Sequence, residues 1–504
     1  MTAHFKRGIG AAIFLVSTSP MALAQVTAQD VWSDWKSYMT SFGYEVTGAE
    51  SASGDTLTIR DLSMSIDLPE NDGSVSLNMN SLVFDGKGDG TVEVIMPGII
   101  PLRISGQEDG EEFDVVVDIT QSGQSMIVSG DPNDLSYDFS ASQVGLTLAS
   151  LMIEGQPNAA ELARFTVTMT NVQSSSQVKI EDARRYTQSM SVGSLSYDAA
   201  FKDPESDGNV GFQGSIVGLS FKGDSVIPPN MDSEDFRAIL DAGFALNGSV
   251  EYGSGNSNFN VVGDGQDFSL ESSSQGGRLG VIIDGARIVY DVSQKGSAIN
   301  VVTNQLPFPV ELAMAELGFK IAVPVAQSDE PQDFGLLVRL VDFTTPDTIW
   351  GLLDPSAALP RDPVTVILDL SGQASLFADI VNPEVAANLN GPPGEVNAVT
   401  INQLLVSAAG AKLSGTGDFT FDNNDLASFN GIPAPTGEAN LELVGANGLM
   451  DNLIKMGLLA EEAASVPRMM LGMLTVPGAG EDTLTSKIEF GEGGQITANG
   501  QRIK

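Results

Sequence analysis

Residues 57–68 read LTIRDLSMSIDL, and the fold class follows from this stretch. Leu57 and Ile59 alternate with polar residues, which is typical of a β-strand with one buried face. The alternation then slips by one residue and resumes at every second position from Leu62 to Leu68. A slip of this kind inside a strand predicts a β-bulge, here near Arg60-Asp61.

The same alternation recurs along most of the chain. Phe113, Val115 and Val117 alternate with acidic residues, and later runs begin at Phe165 and Val217. Dipeptides that accept the positive φ of tight turns separate the runs. Asp-Gly pairs lie at 72–73, 89–90, 109–110, 207–208, 264–265 and 284–285, and Asn-Gly pairs at 247–248, 390–391, 430–431, 447–448 and 499–500. Alternating strands joined by tight turns predict a mainly β protein of long, twisted antiparallel sheets.

Two arrangements would cover the apolar face of such sheets. Sheets can pack on each other as a sandwich, or one long sheet can curl so that its apolar face lines a groove. The sequence leaves both arrangements open. We divide the chain into two β-rich regions, residues 25–225 and 226–504, without a clear linker between them.

A few short helices interrupt the strands. Residues 27–42 form an aromatic amphipathic helix in this interpretation, because Thr27 and Asp30 approximate a capping box and Gly43 is a natural stop. We expect this helix to dock on a sheet. Further helices are predicted near 232–242, 346–354 and 447–474, and the methionines of the last one are expected to fill the core; these are Met469, Met470 and Met473.

The first 24 residues have the pattern of a secretory signal peptide. Lys6 and Arg7 precede a short apolar run, and Ala22-Leu23-Ala24 supplies a cleavage site. We therefore expect export to a Gram-negative periplasm, cleavage after Ala24, and a mature chain that does not span the membrane because no later stretch has the necessary apolar length.

Two residue types are missing from the expected mature chain. The sequence has no cysteine, and its one histidine, His4, lies in the signal peptide. Their absence removes the usual neutral-pH general base and the ligands that zinc, copper and iron prefer. The sequence therefore predicts no enzyme, no cofactor, and no catalytic, cofactor-binding or metal-binding residues.

Four local patterns bear on this prediction. The glycine-rich stretch 86–90 predicts a turn, since it lacks the features of a phosphate loop. Ser176 and Lys179 have a serine–lysine spacing without the partners that such enzymes carry. The acidic stretches 108–112 and 422–425 are weak candidates for calcium. The net charge of −40 disfavours nucleic acid as a partner.

Several segments resemble a bacterial family known as domain of unknown function 2125. They are Asp30 to Lys36 with Ser41 to Tyr44, Leu359 to Pro363 with the strand Val366 to Leu370, Gly410 to Gly417, and Asn499 to Gln501. The resemblance implies a periplasmic protein and lends no site residues. The late pattern is also faintly similar to AsmA and YdgA-like envelope proteins, whose long sheets are thought to shield lipid.

These observations favour a non-enzymatic protein of the cell envelope. One hypothesis is a β scaffold that handles lipid or another hydrophobic ligand. The alternative is a structural or protein-binding β module with an envelope protein as its partner. A metal-independent hydrolase is disfavoured, and so is an outer-membrane barrel, because tyrosine and tryptophan are too sparse for aromatic girdles.

Overall fold

The computed structural model describes residues 25–504 except 69–72, 109, 155–158, 204–205, 207, 230–235, 264, 266 and 390. The expected signal peptide lies outside the described residues, as do the predicted start of the helix at 232 and one member of several predicted turn pairs, such as Asp72 and Asn390. The remaining predictions can be compared with the structure.

The seven α-helices are short. They are α1 (Ala28–Ser41), α2 (Ala159–Leu162), α3 (Phe236–Asp241), α4 (Asp347–Leu353), α5 (Pro383–Ala387), α6 (Ala446–Lys455) and α7 (Glu461–Leu474), within the described ranges. The helices predicted at 27–42, 346–354 and 447–474 are confirmed, and the last prediction covers two helices, α6 and α7. None of the helices in the described part of the chain has the length and hydropathy of a membrane span.

The strands of the first half are β1 (Glu45–Ser53), β2 (Thr56–Leu68), β3 (Gly73–Gly86), β4 (Val92–Ile95), β5 (Ile99–Glu108), β6 (Glu111–Ser122), β7 (Ser125–Asp131), β8 (Asp134–Ile153), β9 (Ala163–Ile180), β10 (Arg184–Lys202), β11 (Asn209–Ile227), β12 (Ala245–Tyr252) and β13 (Ser254–Val262). Those of the second half are β14 (Phe268–Ser274), β15 (Gly277–Ile283), β16 (Arg287–Thr303), β17 (Val310–Pro324), β18 (Ser328–Phe343), β19 (Val364–Leu376), β20 (Gly394–Ala408), β21 (Ala411–Asp422), β22 (Ala434–Val444), β23 (Val476–Pro477), β24 (Thr483–Phe490), β25 (Ile496–Ala498) and β26 (Gln501–Arg502).

All 26 strands belong to one antiparallel sheet. Each long strand pairs with the next one along the chain, and several neighbours in sequence, such as β12 and β13, are two halves of one long strand that share the partner β11. The first strand, β1, pairs with β2 alone among the described residues. The predicted mainly β class is confirmed, as a single sheet. The proposed division near residue 225 falls at the end of β11, which is hydrogen-bonded on both sides.

Backbone irregularities interrupt the alternation of several strands. The bulge predicted near Arg60-Asp61 is confirmed, because the β1–β2 register shifts between Thr47 and Ala49 and Asp61 has a φ of 50°. Positive φ recurs at Asn171 and Gly218 in later strands, where the register does not shift. At this level of the sheet the side-chain phase changes, so that apolar residues three apart, such as Val192 and Leu195, lie against the same cluster of side chains.

Much of the sheet has no second layer over it. The accessible surface of the chain is 29226 Å², whereas a compact monomer of its 52.8 kDa mass exposes about 18,000 Å². The main core lies where α1 packs on the sheet, with Leu57, Phe84, Val128 and Leu135 among its buried residues. Burial is therefore concentrated at one end of the molecule.

Two kinds of sequence-based prediction were wrong. Met469, Met470 and Met473 are 60%, 52% and 59% exposed rather than core, because α7 packs through Ala464 on its other side. The pairs Asn247-Gly248 and Asn447-Gly448 are not hairpin turns. The first lies inside β12, where the Phe221 ring packs near Gly248, and the second lies in the first turn of α6, whose backbone N–H groups donate to Asp482.

Candidate ligand-binding face

Helix α1 identifies the two faces of the sheet. Its N-terminus has the predicted capping box, in which Thr27 and Asp30 exchange hydrogen bonds with each other's backbone N–H groups. Its apolar side buries Val31 and Trp32 against β2, β3, β4, β7 and β8. We call the side of the sheet that α1 contacts the helix face, and the other side the opposite face.

The hydrogen-bond register assigns the residues of the other strands to one face or the other, because residues directly opposite each other on neighbouring strands point to the same side of the sheet. Leu135 lies in the α1 core, and it pairs with Val178, which in turn pairs with Tyr186. A second cluster of apolar side chains, which includes Met190 and Leu195, fixes the helix face on both sides of the change of side-chain phase in β10. From there the register extends the same face through β16.

The two faces differ sharply in charge. On the described positions of β8 to β16, Arg184 is the one charged residue of the helix face. The charged residues of the opposite face in these strands are Asp134, Asp138, Arg164, Lys179, Arg185, Asp198, Lys202, Lys222, Asp224, Glu251, Glu271, Arg278, Arg287, Asp291 and Lys295. The helix face of these strands is otherwise made of aliphatic, aromatic, glycine and uncharged polar residues.

Large apolar side chains on the helix face remain exposed beyond the reach of α1. Leu279, Val292, Phe319 and Val338 are opposite one another on four neighbouring strands and are 44%, 44%, 43% and 36% exposed. We call these four residues the central row. The row spans three strand spacings, about 14 Å, which is about half of the ~30 Å hydrocarbon thickness of a bilayer. An extended acyl chain of one leaflet matches this length.

The two ends of the strands differ in how much of the helix face is covered. At the end near α1 the helix face is covered, whereas at the other end Phe165, Phe201, Val210 and Phe212 are all more than a third exposed. Phe212 stacks on Tyr197 with ring centroids 4.7 Å apart. Because antiparallel strands alternate in direction, helices α4, α6 and α7 also lie at this second end, which we call the α7 end.

Polar side chains bind α1 to the sheet at the border of the region of the helix face that α1 covers. Arg184 Nη2 donates to Asp34 Oδ1 at 2.6 Å, and Tyr137 Oη donates to Asp34 Oδ2 at 3.1 Å. The Arg184 guanidinium also lies 4.9 Å from the centre of the Tyr38 ring. Burial raises the pKa of Tyr186, which accepts from Arg184 Nε, to about 12, so its hydroxyl stays neutral.

This network borders a pocket of 280 Å³ between α1 and the sheet, lined by Trp35, Met39 and Val178 among others. The lining is mostly apolar, and its polar groups are the Asp34–Arg184 pair, Ser176 and the tyrosine hydroxyls. The mostly apolar surface of the exposed helix face therefore continues up to α1.

A second contact fixes α1 to the edge strand β1. Trp32 Nε1 donates to Glu50 Oε1 at 2.9 Å, and Lys36 Nζ donates to the same oxygen at 3.0 Å. These bonds, that from Trp32 first, lower the pKa of Glu50. A carboxylate whose pKa is lower in the folded state stabilises the fold above its ordinary pKa and loses that effect as the pH falls through the folded value.

We therefore expect stability to fall in acid, below the ordinary glutamate pKa of 4.5, partly through Glu50. Glu50→Gln should flatten that part of the stability–pH profile, since glutamine keeps an acceptor but does not titrate. Thermal melts from neutral pH to pH 3, followed by tryptophan fluorescence, measure this. Glu45→Gln on the same strand is the control, and an unchanged profile in Glu50→Gln would contradict the assignment.

The opposite face is polar where it is concave. A pocket of 980 Å³ is lined by Asp198, Gln213, Asn258, Glu271 and Asn300, among other residues. These five side chains are opposite one another on consecutive strands. A row of carboxylates and amides suits water or polyols better than a hydrophobic ligand.

The structure does not assemble the weak candidate sites from the sequence. Ser176 is on the helix face and Lys179 on the opposite face, where its ammonium lies 3.9 Å from Asp134. Asp422 and Asp425 accept hydrogen bonds from the backbone N–H groups of Asn424 and Ser428, which makes them turn-forming residues.

The other two patterns also serve local structure. In the stretch 108–112, Asp109 lies outside the described residues, and no group of three or more potential metal ligands occurs in the part of the chain that is described. The glycine-rich stretch 86–90 is the predicted turn between β3 and β4.

Sequence reasoning missed Asp34 and Arg184. They are 150 positions apart, and neither lies in a recognisable motif. A signal was present in retrospect: Arg184 is at a helix-face position in a chain where alternation reserves such positions for apolar residues. An unexpected charge at an apolar phase predicts a partner from elsewhere in the fold.

Residues 249–497 match the model of a bacterial family described as "Uncharacterized protein conserved in bacteria (DUF2125)". The segments Leu359 to Pro363 and Gly410 to Gly417, on which the resemblance was based, lie inside the match. The segments around α1 and Asn499 lie outside it. No curated protein and no solved structure matches the chain, so the similarity to AsmA and YdgA-like proteins has no support from these comparisons.

Proposed function

We propose that this protein is a non-enzymatic, periplasmic component of the cell envelope whose helix face binds the acyl chain of a lipid or a similar hydrophobic ligand. The observation that carries the proposal is the contrast between the two faces. Across β8 to β16 the helix face has Arg184 as its one charged residue among the described positions, and the central row, which runs from β15 to β18, is exposed without a covering layer.

Exposed apolar surface of this extent is costly in water. Covering apolar area contributes about 25 cal/mol per Å², and large exposed apolar patches on soluble proteins mark binding sites. An acyl chain along the central row would contact Leu279, Val292 and Phe319 at once. Exposed valines of the opposite face, such as Val217 and Val302, lie opposite serines and do not form a row across neighbouring strands.

One observation favours the alternative, a protein-binding β module. Strand β1 has an edge without a partner among the described residues, and its side chains are exposed except for that of Val46. An exposed edge can accept a strand from another protein. This candidate needs only β1 and does not explain the apolar helix face.

The proposal is tested by native mass spectrometry and lipid extraction of protein purified from a periplasmic fraction. We expect an acyl species at near-stoichiometric amount. Protein free of any such species would contradict the proposal. Co-purification of one envelope protein in stoichiometric amount, bound at the edge of β1, would support the alternative.

A matched pair of variants locates the site. Leu279→Glu/Val292→Glu/Phe319→Glu places charges in the central row and should weaken binding of a fluorescent long-chain fatty acid at least tenfold, about 1.4 kcal/mol or more. The control Val217→Glu/Val262→Glu/Val302→Glu changes residues of 50%, 46% and 47% exposure on the opposite face and should bind normally. Equal affinity of the two variants would place the ligand elsewhere. Circular dichroism melts verify that both are folded.

A further inference from the structure

The pocket between α1 and the sheet has aromatic walls on two sides. Trp35 and Tyr38 of α1 face Tyr137 and Tyr186 of the sheet, with ring centroids 6.4 Å apart for Trp35–Tyr137 and 6.2 Å apart for Tyr38–Tyr186. The pocket has a volume of 280 Å³, whereas an engineered apolar cavity of about 150 Å³ holds benzene. A body of about two fused rings therefore fits between these walls.

The guanidinium of Arg184 supplies the pocket with unused hydrogen-bond donors. Its Nη2 donates to Asp34 and its Nε donates to the Tyr186 hydroxyl, and these two bonds fix the plane of the group. Its Nη1 donates to no atom of the residues that the structure describes. Because a guanidinium carries its N–H donors in a rigid fork, the direction in which Nη1 can bind an acceptor is fixed as well.

The pocket as a whole has no net charge. Asp34 is the one acidic residue and Arg184 the one basic residue among its described lining residues, and the two side chains are 2.6 Å apart. A ligand carboxylate at Nη1 would lie close to the Asp34 carboxylate and would lose its hydration in mostly apolar surroundings. An uncharged carbonyl oxygen accepts the same hydrogen bond without either cost.

We propose that this pocket binds an uncharged molecule with an apolar, ring-sized body and a carbonyl oxygen, such as an amide or an ester, and that it discriminates against the corresponding carboxylate. The carbonyl oxygen accepts from Arg184 Nη1, and the body lies between the rings of α1 and those of the sheet. This inference does not rest on the proposed function, because no residue of the central row lines the pocket.

Isothermal titration calorimetry with 2-naphthamide and 2-naphthoate tests the site, since the two probes have the same shape and differ in charge. At neutral pH the full mature chain should bind the amide about tenfold more tightly than the carboxylate, or more. Ser176 lines the pocket, and Ser176→Phe should abolish amide binding by filling it with a ring. Ser174→Phe is the matched control, because Ser174 lies two residues away on the same side of β9 and outside the lining.

A second variant tests the origin of the preference. Asp34→Asn removes the negative charge and keeps the shape, so Arg184 is left with an uncompensated positive charge beside the ligand. The affinity for 2-naphthoate should then rise about tenfold or more, while that for 2-naphthamide changes little. Since this variant is expected to be less stable, circular dichroism melts establish that it is folded at the temperature of the titration. If it is not, the two serine variants decide the question.

The outcomes separate this site from the proposed function. Equal affinity of the wild-type chain for the two probes, binding of neither, or equal losses in Ser176→Phe and Ser174→Phe would overturn the inference. Loss of amide binding in the central-row glutamate variant would place the probe on the central row and overturn it too. If the amide binds in the pocket but no fatty acid binds to the chain, the site stands and the proposed function is wrong.

Discussion

Replacing Trp32 with alanine should lower the free energy of unfolding by about 3–5 kcal/mol, the usual cost of deleting a large aromatic side chain from a core. Trp32 is 2% exposed and is the largest fully buried side chain of the core. Its ring lies 5.9 Å from that of Phe84, and its indole N–H is bonded to Glu50. The substitution removes packing and leaves the Glu50 carboxylate with one donor fewer.

Urea denaturation followed by circular dichroism measures this effect. Trp350→Ala is the matched control, because Trp350 is half-buried in α4 and the same atoms are deleted there. We expect a clearly smaller loss at Trp350. Equal losses at the two positions would mean that α1 contributes no more to the fold than a surface helix.

Replacing Asp34 with asparagine should cost about 3 kcal/mol, since removing one partner of a mostly buried ion pair leaves the other charge uncompensated. The side chains of Asp34 and Arg184 are 10% and 19% exposed. After the change, Arg184 would keep a positive charge on a face that is otherwise uncharged in β8 to β16. Removing both charges in Asp34→Asn/Arg184→Met should therefore cost less than the sum of the two single changes.

A double-mutant cycle measures that coupling. The matched control is Arg164–Asp198, which joins neighbouring strands at 2.7 Å with side chains 63% and 43% exposed. Pairs so exposed contribute at most about 1 kcal/mol. If both cycles gave the same coupling, Asp34–Arg184 could not be the fastening that holds α1 over the sheet.

How α1 is held could be predicted only in part. The capping residues and the aromatic side of α1 are local features, so the sequence around Thr27 and Trp32 indicated a docked helix. The partners of that helix come from strands far along the chain, such as Leu135 and Arg184. Which strands meet α1 depends on the curvature and order of the whole sheet, and no local pattern contains that information.

The methionines of α7 are a case in which the sequence-based prediction of burial was wrong. Their apolar character and helical spacing predicted burial, which is the usual outcome for such residues. The structure leaves them exposed, because α7 follows the last long strands and has no further layer to pack on. Hydrophobicity predicts that a side chain tends to be buried. Whether it is buried depends on the neighbouring elements that the fold places against it.

By itself, the sequence determined the mainly β class, the positions of α1, α4, α6 and α7, the bulge at Asp61 and the absence of cysteine, because each of these depends on residues close together in the chain or on composition alone. It missed the short helices α2 and α5. Only the tertiary structure decided that the alternating strands form one sheet with a nearly charge-free face, and that α1 covers that face at one end and leaves it open at the other. The reason is that alternation decides which residues share one side of a strand. Whether that side is covered or exposed depends on the register between distant strands and on where α1 docks.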